Sequence, residues 1–356
     1  MRFRRHPRSR LLLVTTAVLL TTLAVPPVRA DAPRSAAVSG PAAMSGPAGE
    51  AVAGLRPGMR LPSGARLSEV RRVGHRTIDV TLDSPALGTA GHARILLPPN
   101  FAAWRTRRWP TLYLLHGCCE PIPGWTEWTV HTDVERQTAR YDALVVMPDG
   151  GTHGFYSDWW NGGRHGAPAW ERFHLTELRQ LVELGLRGGP QRAIAGLSMG
   201  GFGALSYAAR HPGAFRAVAS FSGLADSVSG AQNVLAVLEA FGADPTALWG
   251  DPVAQARIWR RHNPYDLAAR LRSTPLYISA GNGTPGPLDP PGQEADPLES
   301  WIDPMNRRFV DQARAHGVRV TANLYGPGTH TWPYWERELR RSLPMLMGAV
   351  GAHRAG

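Results

Sequence analysis

The chain has 356 residues, with 39 basic and 28 acidic side chains and a formal net charge of +11. None of the basic residues is a lysine, which excludes chemistry that depends on a lysine Schiff base or on a P-loop lysine. The arginines are scattered and form no basic block interleaved with aromatic residues, so a nucleic-acid partner is not expected.

The first 30 residues have the pattern of a secretory signal peptide. An arginine-rich start is followed by the apolar stretch Leu11 to Val25 and by a small-residue end at Ala30. The alternative, a retained membrane anchor, needs about 20 apolar residues, and this stretch is shorter and is followed by two prolines. Cleavage after Ala30 would remove six arginines and no acid, which lowers the net charge to +5. We therefore expect a secreted protein without stable membrane insertion. Association of the secreted protein with the cell envelope is compatible with this prediction.

Residues 31–58 are predicted to form a flexible leader. They are almost all Ala, Pro, Gly, Ser and Val and show no periodicity, a composition that buries too little apolar surface to order itself.

Residues 59–351 are predicted to form one α/β domain. Apolar or alternating runs predict strands, and helical stretches lie between most of the later ones. The predicted strands are Arg76 to Leu82, Ala93 to Leu97, Thr111 to Leu115, Leu144 to Met147, Ala193 to Ala195, Ala217 to Phe221, Leu276 to Ala280 and Arg319 to Leu324. This alternation favours a mostly parallel central sheet with helices on both faces. Residues 225–265 form an excursion that is either a lid over the site or a plain connection.

A candidate nucleophile lies in the pentapeptide Gly196-Leu197-Ser198-Met199-Gly200. An apolar run precedes it and a helix-like stretch follows it, which is the setting of a nucleophile elbow, a tight strand-to-helix turn that exposes the serine hydroxyl. Ser198 in that position indicates acyl transfer. The developing oxyanion then needs two backbone donors, for which we expect the amide of Met199 and that of Cys118, just after the strand that ends at Leu115.

An acyl-transfer serine needs a base and an acid that orients the base. His330 follows the last predicted strand and is the expected base, whereas His211 and His262 look like capping or turn residues. Spacing alone does not choose the acid among five candidates, which are Asp289, Glu294, Asp296, Glu299 and Asp303.

The only two cysteines are the neighbours Cys118 and Cys119. Adjacent cysteines cannot connect distant parts of a fold, and no second Cys or His pair lies at zinc-ligand spacing. We expect two reduced thiols, although a disulfide between the neighbours is an alternative. No metal or cofactor is expected.

Several segments resemble the antigen 85 mycolyltransferases and the related esterase D-like acyl hydrolases, a branch of the α/β-hydrolase superfamily. The likeness covers most of Ser68 to Leu346. Its pieces are Leu112-Tyr113-Leu114-Leu115, Val146-Met147-Pro148, Phe155-Tyr156-Ser157-Asp158-Trp159, the elbow, Trp249-Gly250, Asn263-Pro264, Gly281-Asn282-Gly283, His330-Thr331-Trp332 and Tyr334-Trp335. The resemblance implies the α/β-hydrolase fold. It also implies Glu299 as the acid, because Leu298-Glu299-Ser300-Trp301 followed by Asn306 and Phe309 is similar to the mycolyltransferase arrangement, with Asp289 in reserve.

The chain departs from the mycolyltransferases at the first oxyanion loop. They carry an Asp and an Arg there that grip trehalose, and this chain has His116 and Cys119. Trehalose specificity is therefore in doubt. His116, Trp159 and Trp332 are the expected substrate contacts.

The pattern as a whole favours a secreted serine acyl hydrolase acting on a small-molecule, lipid or glycolipid ester. One alternative is an acyltransferase that moves an acyl chain to a sugar or glyceride alcohol. Another is a non-catalytic protein that binds cell-wall glycans or matrix through its tryptophans, of which the chain has 12.

Overall fold

A nine-stranded sheet forms the centre of the protein, and its spatial order is β1-β2-β3-β5-β4-β6-β7-β8-β9. The computed structural model describes residues 53–353, so the predicted signal peptide and most of the predicted leader lie outside the described residues. The strands are β1 (Arg66–Arg72), β2 (Thr77–Ser84), β3 (Thr89–Leu96), β4 (Trp109–Leu115), β5 (Leu144–Pro148), β6 (Gly188–Leu197), β7 (Val218–Phe221), β8 (Leu276–Ala280) and β9 (Val320–Leu324).

Pairing between β1 and β2, β2 and β3, and β3 and β5 is antiparallel, and the remaining strands pair in parallel. The carboxyl ends of β4 to β9 therefore meet at one edge of the sheet. This edge is where open α/β sheets bind their ligands.

The helices cover both faces of the sheet. They are α1 (Glu127–His131), α2 (Val134–Thr138), α3 (Trp170–Arg172), α4 (Arg179–Gly185), α5 (Met199–Arg210), α6 (Ala231–Ala240), α7 (Ala256–His262), α8 (Pro264–Leu267), α9 (Pro297–Ala315) and α10 (Trp332–Ala349). A π-helical turn, Phe173–Leu178, joins α3 to α4. Among the described residues, every helix is too short or too polar to cross a bilayer.

The central strands are apolar throughout because both of their faces are buried. All seven residues of β4 are buried. Its Tyr113 packs into the core that contains α5 and α9, whereas Leu112 and Leu114 pack into the core that contains α10. The sheet with helices on both faces agrees with the predicted fold class.

Two features of the N-terminal part differ from the sequence expectation. Strand β1 was not expected, because its run Arg-Leu-Ser-Glu-Val-Arg-Arg is mostly charged and only Leu67 is buried. The fold also begins before residue 59, because Leu55 is fully buried and the Gly58 amide donates to the Leu67 carbonyl at 2.7 Å. A lone leucine in an Ala- and Gly-rich stretch has no periodicity that would reveal its burial.

Candidate active site

Ser198 lies between the end of β6 and the first residue of α5, with φ 51° and ψ −120°. These left-handed dihedrals are unusual for a residue with a side chain. The turn depends on glycine on both sides. A Cβ at Gly196 would lie 2.3 Å from the Gly200 carbonyl oxygen, and one at Gly200 would lie 2.4 Å from the His116 oxygen. Gly196 and Gly200 therefore permit the tight turn on which Ser198 lies.

A cavity of about 500 Å³ opens beside Ser198. His330 lies in the same cavity wall, on the loop between β9 and α10. The elbow and the histidine loop both follow parallel strands, so the sheet brings them to the same edge although they are far apart in the chain.

The His330 ring contacts a buried carboxylate. Its Nδ1 donates to Glu299 Oε2 at 2.6 Å, and Glu299 is fully buried on α9. The other carboxylate oxygen accepts hydrogen bonds from the Ser222 hydroxyl at 2.8 Å and the Gly281 amide at 2.7 Å. The ring of Trp335 stands edge-on to the imidazole with 4.8 Å between centroids. Glu299 thus has fixed partners on both oxygens, which fixes the direction in which it holds His330.

Asp296 connects the histidine loop to α9. One of its oxygens caps the helix by accepting from the amides of Leu298 and Glu299, and the other accepts from the His330 amide at 2.7 Å. The sequence pattern left Asp296 among the acid candidates, and in the structure it bonds the His330 backbone. No motif singled out Ser222 or Asp296 for these positioning contacts.

Asp289, the reserve candidate for the acid, has other partners. Its carboxylate accepts from the Tyr334 hydroxyl at 2.8 Å, from the Gly286 amide at 2.7 Å and from the Thr329 hydroxyl. It supports the loop beside His330 without a hydrogen bond to the imidazole among the described contacts.

The two expected oxyanion donors flank the nucleophile. Met199 is the first residue of α5, where backbone N–H groups have no partner within the helix. Cys118 lies in the loop after β4, and both residues line the cavity beside Ser198. The Sγ atoms of the two cysteines lie within bonding distance of each other, which is the arrangement of the disulfide alternative. Cys119 adopts φ 82°, and this sharp backbone turn allows the neighbouring side chains to meet.

Of the three expected substrate contacts, only Trp332 lines the cavity. His116 is 2% exposed, its Nε2 accepts from the Gly150 amide at 2.7 Å, and burial lowers its pKa. Trp159 is also buried and donates to the Gly154 carbonyl at 3.2 Å. The polar atoms of His116 and Trp159 thus bond to loops inside the protein, and neither residue lines the cavity.

The excursion at residues 225–265 contributes one wall of the cavity. The lining residues on or next to α6 are Asn233, Val234, Ala236, Val237, Ala240 and Phe241, and those of α9 are Leu298, Trp301 and Ile302. Both helices present mainly apolar side chains. Within residues 53–353 no three His, Cys, Asp or Glu side chains come together as a metal site.

Comparison with known proteins identifies the family of the chain. Residues 84–346 match the family model named Esterase. The Ag85B diacylglycerol acyltransferase/mycolyltransferase of Mycobacterium leprae is 34% identical over 254 residues, which cover 68% of this chain and 77% of that protein. The Ag85A protein of the same organism is 33% identical over 68% of this chain and 76% of its own length.

Solved structures agree with the fold. MPT51 (FbpC1) of Mycobacterium tuberculosis has a TM-score of 0.62 and 25% identity over 75% of this chain and 96% of its own. The fluorophosphonate-binding serine hydrolase FphF of Staphylococcus aureus has a TM-score of 0.59 and 23% identity over 76% of this chain and 98% of its own, which supports the fold alone. The chain therefore belongs to the esterase family, in the antigen 85 and esterase D-like branch of the α/β-hydrolase superfamily, and is an acyl-transferring serine esterase.

Proposed function

We propose that this protein is a secreted carboxylic ester hydrolase that works through a Ser198, His330 and Glu299 triad. The observation that supports it most is the hydrogen bond from His330 Nδ1 to the buried Glu299 carboxylate, at 2.6 Å, in the wall of the cavity that also contains Ser198. A base whose second nitrogen is held by a buried acid keeps its other nitrogen free to take a proton.

In the first half of the reaction, Ser198 Oγ attacks the ester carbonyl carbon while His330 Nε2 takes its proton. The Met199 and Cys118 amides hold the oxyanion. His330 then gives the proton to the departing alcohol oxygen as the acyl C–O bond breaks, which leaves an acyl-enzyme on Ser198. Throughout, Glu299 accepts from His330 Nδ1 and stabilises the imidazolium.

In the second half, water attacks the acyl carbon while His330 takes its proton. The bond between that carbon and Ser198 Oγ then breaks, His330 returns the proton to Ser198 Oγ, and the carboxylic acid is released. An alcohol in place of water would give acyl transfer to a sugar or glyceride hydroxyl. The names of the Ag85 relatives favour this second candidate. The apolar walls from α6 and α9 suit a lipid acyl chain in either case.

The first test compares the wild type with Ser198→Ala on short and long p-nitrophenyl esters. We expect kcat/KM to fall by about 1,000-fold or more, because the nucleophile is lost. Ser206→Ala, a buried serine of α5 outside the cavity, is the matched control and should keep most of the activity. Equal rates in wild type and Ser198→Ala, with both proteins folded by circular dichroism, would refute the serine mechanism.

The same assay separates hydrolysis from transfer when an alcohol acceptor is added. Acylated acceptor at the expense of free acid, measured by mass spectrometry, would identify a transferase. Free acid alone would identify a hydrolase.

A further inference from the structure

The cavity beside Ser198 has a polar end that the proposed triad does not use. Two carboxyl side chains, Glu120 and Glu127, line it next to the oxyanion loop. Among the described lining residues there is no arginine, and the remaining titratable side chain is His330. The walls from α6 and α9 are mainly apolar. The cavity therefore has an acidic end beside the oxyanion loop and an apolar end lined by α6 and α9.

Glu127 is a buried acid without a full set of partners. It is 1% exposed, and its Oε2 has no hydrogen-bond partner among the described residues. Its Oε1 lies 3.5 Å from His116 Nδ1, but that nitrogen is 2.7 Å from the Gly117 carbonyl oxygen, to which it donates. Burial also lowers the pKa of His116, which keeps that imidazole uncharged. A buried polar atom without a partner is costly and calls for a ligand or a functional explanation.

The charges that face Glu127 are all of the same sign. Its pKa is raised to about 8, first by burial and then by the negative charges of Glu120 and Asp149, whereas the Gly117 backbone lowers it. Glu120 itself accepts a hydrogen bond from Trp332 Nε1 at 3.2 Å. A positive group at this end would favour the ionised form of Glu127 and would offset the repulsion between the two carboxylates.

Resting on the proposed function, we propose that Glu120 and Glu127 bind a cationic ammonium group carried by the alcohol part of the ester. The acyl chain then occupies the apolar end between α6 and α9, and the ester carbonyl lies at Ser198 between the two ends. The alcohol that leaves, or the alcohol that accepts, is a positively charged amino alcohol.

The test uses two butyrate esters that differ in one atom: the choline ester and its uncharged isostere with carbon in place of the ammonium nitrogen. We expect the wild type to prefer the charged ester in kcat/KM by about tenfold or more. Glu127→Gln and Glu120→Gln should each bring this ratio towards one, with the rate on the uncharged ester kept within about threefold.

A matched control makes the same Glu-to-Gln change outside the cavity. Glu239 is exposed on α6 and does not line the cavity, so Glu239→Gln should leave the ratio unchanged. A ratio near one in the wild type, or a preference that survives both cavity substitutions, overturns the proposal. So does a ratio of one accompanied by acyl transfer to glycerol that requires Glu127, since the acidic end would then serve neutral hydroxyls.

A binding measurement keeps the inference separate from the catalytic proposal. Tetramethylammonium is titrated by calorimetry into folded Ser198→Ala, alone and combined with Glu127→Gln or Glu120→Gln. Saturable binding that weakens about tenfold with either carboxamide supports the acidic end as a cation site even if neither ester is hydrolysed. Failure of the wild type to hydrolyse either ester or to react with a fluorophosphonate counts against the proposed function alone, whereas lack of tetramethylammonium binding counts against the cation site alone.

Discussion

At the scale of single residues, the candidate site depends on backbone positions that most side chains avoid. Ser198 has φ 51° and Ser222, whose hydroxyl donates to Glu299, has φ 46°. Such conformations cost of order 1–3 kcal/mol each and persist only where the surroundings enforce them. Both serines follow central strands, β6 and β7, and their amides are fixed by neighbouring strands: Ser198 N–H donates to Phe221 O and Ser222 N–H to Ser279 O. The two strained residues are thus the proposed nucleophile and a direct hydrogen-bond partner of the proposed acid.

The choice of acid is testable by two matched substitutions. Glu299→Gln should lower kcat by about 100- to 10,000-fold, because the carboxamide no longer stabilises the imidazolium of His330. Asp289→Asn should cost less than about tenfold, since its partners are Tyr334, Gly286 and Thr329. Steady-state kinetics on a p-nitrophenyl ester measures both, with thermal melts to show that each variant is folded. The reverse order of losses would make Asp289 the acid.

The sequence predicted some of the site residues from local motifs and others only from the family resemblance. Ser198 and His330 stand in motifs that carry their chemistry, whereas spacing left five acids open and only the family resemblance selected Glu299. His116 was expected at the cavity because it stands where the mycolyltransferases carry an acceptor-binding residue, and a position in the chain does not show whether a ring faces the cavity or the interior. Here its Nε2 accepts from Gly150 on a neighbouring loop, a partner 34 positions away that no local pattern reveals.

At the scale of elements, α6 contributes part of the apolar wall of the cavity in which we propose that the acyl chain binds. It follows β7 in the chain. Its sequence, with Val234 and Leu238 buried and Gln232 and Glu239 exposed, is the pattern of a helix with one apolar face. The excursion is therefore part of the cavity wall.

A bulky residue on α6 should change the preference for acyl length. Ala236 lines the cavity, so Ala236→Trp should lower kcat/KM for an octanoyl ester about tenfold relative to an acetyl ester by filling the apolar end. Gln232→Trp, exposed on the same helix and outside the cavity, is the control and should leave the ratio of the two rates unchanged. A loss equal for both esters would place Ala236 away from the acyl chain.

At the scale of the whole molecule, the sheet order is what makes a site out of distant segments. Glu299 and His330 are 31 positions apart, and the Ser222 to Glu299 hydrogen bond spans 77. All of them follow parallel strands, so they collect at one edge.

The charge of the molecule is also unevenly divided along the chain: six arginines and no acids lie in the first 30 residues.

Secretion is tested on the whole chain. Expressed with its own N-terminus in a bacterial host with a Sec pathway, the protein in the culture medium should begin at Asp31, because signal peptidase cleaves after a small-residue end such as Ala30. N-terminal sequencing measures this directly. Protein retained in the membrane fraction with residues 1–30 intact would indicate an anchor instead.

The sequence by itself determined the class of fold and predicted Ser198 as nucleophile and His330 as base, because hydrophobic periodicity and the glycine-bounded turn are local properties of the chain. The tertiary structure decided the partners: which carboxylate meets His330, that Asp296 ties the histidine loop to α9, that His116 and Trp159 are buried, and that Glu120 and Glu127 share the cavity with Ser198. These depend on contacts between strands and helices far apart in the chain, and such contacts are set by the packing of the whole sheet.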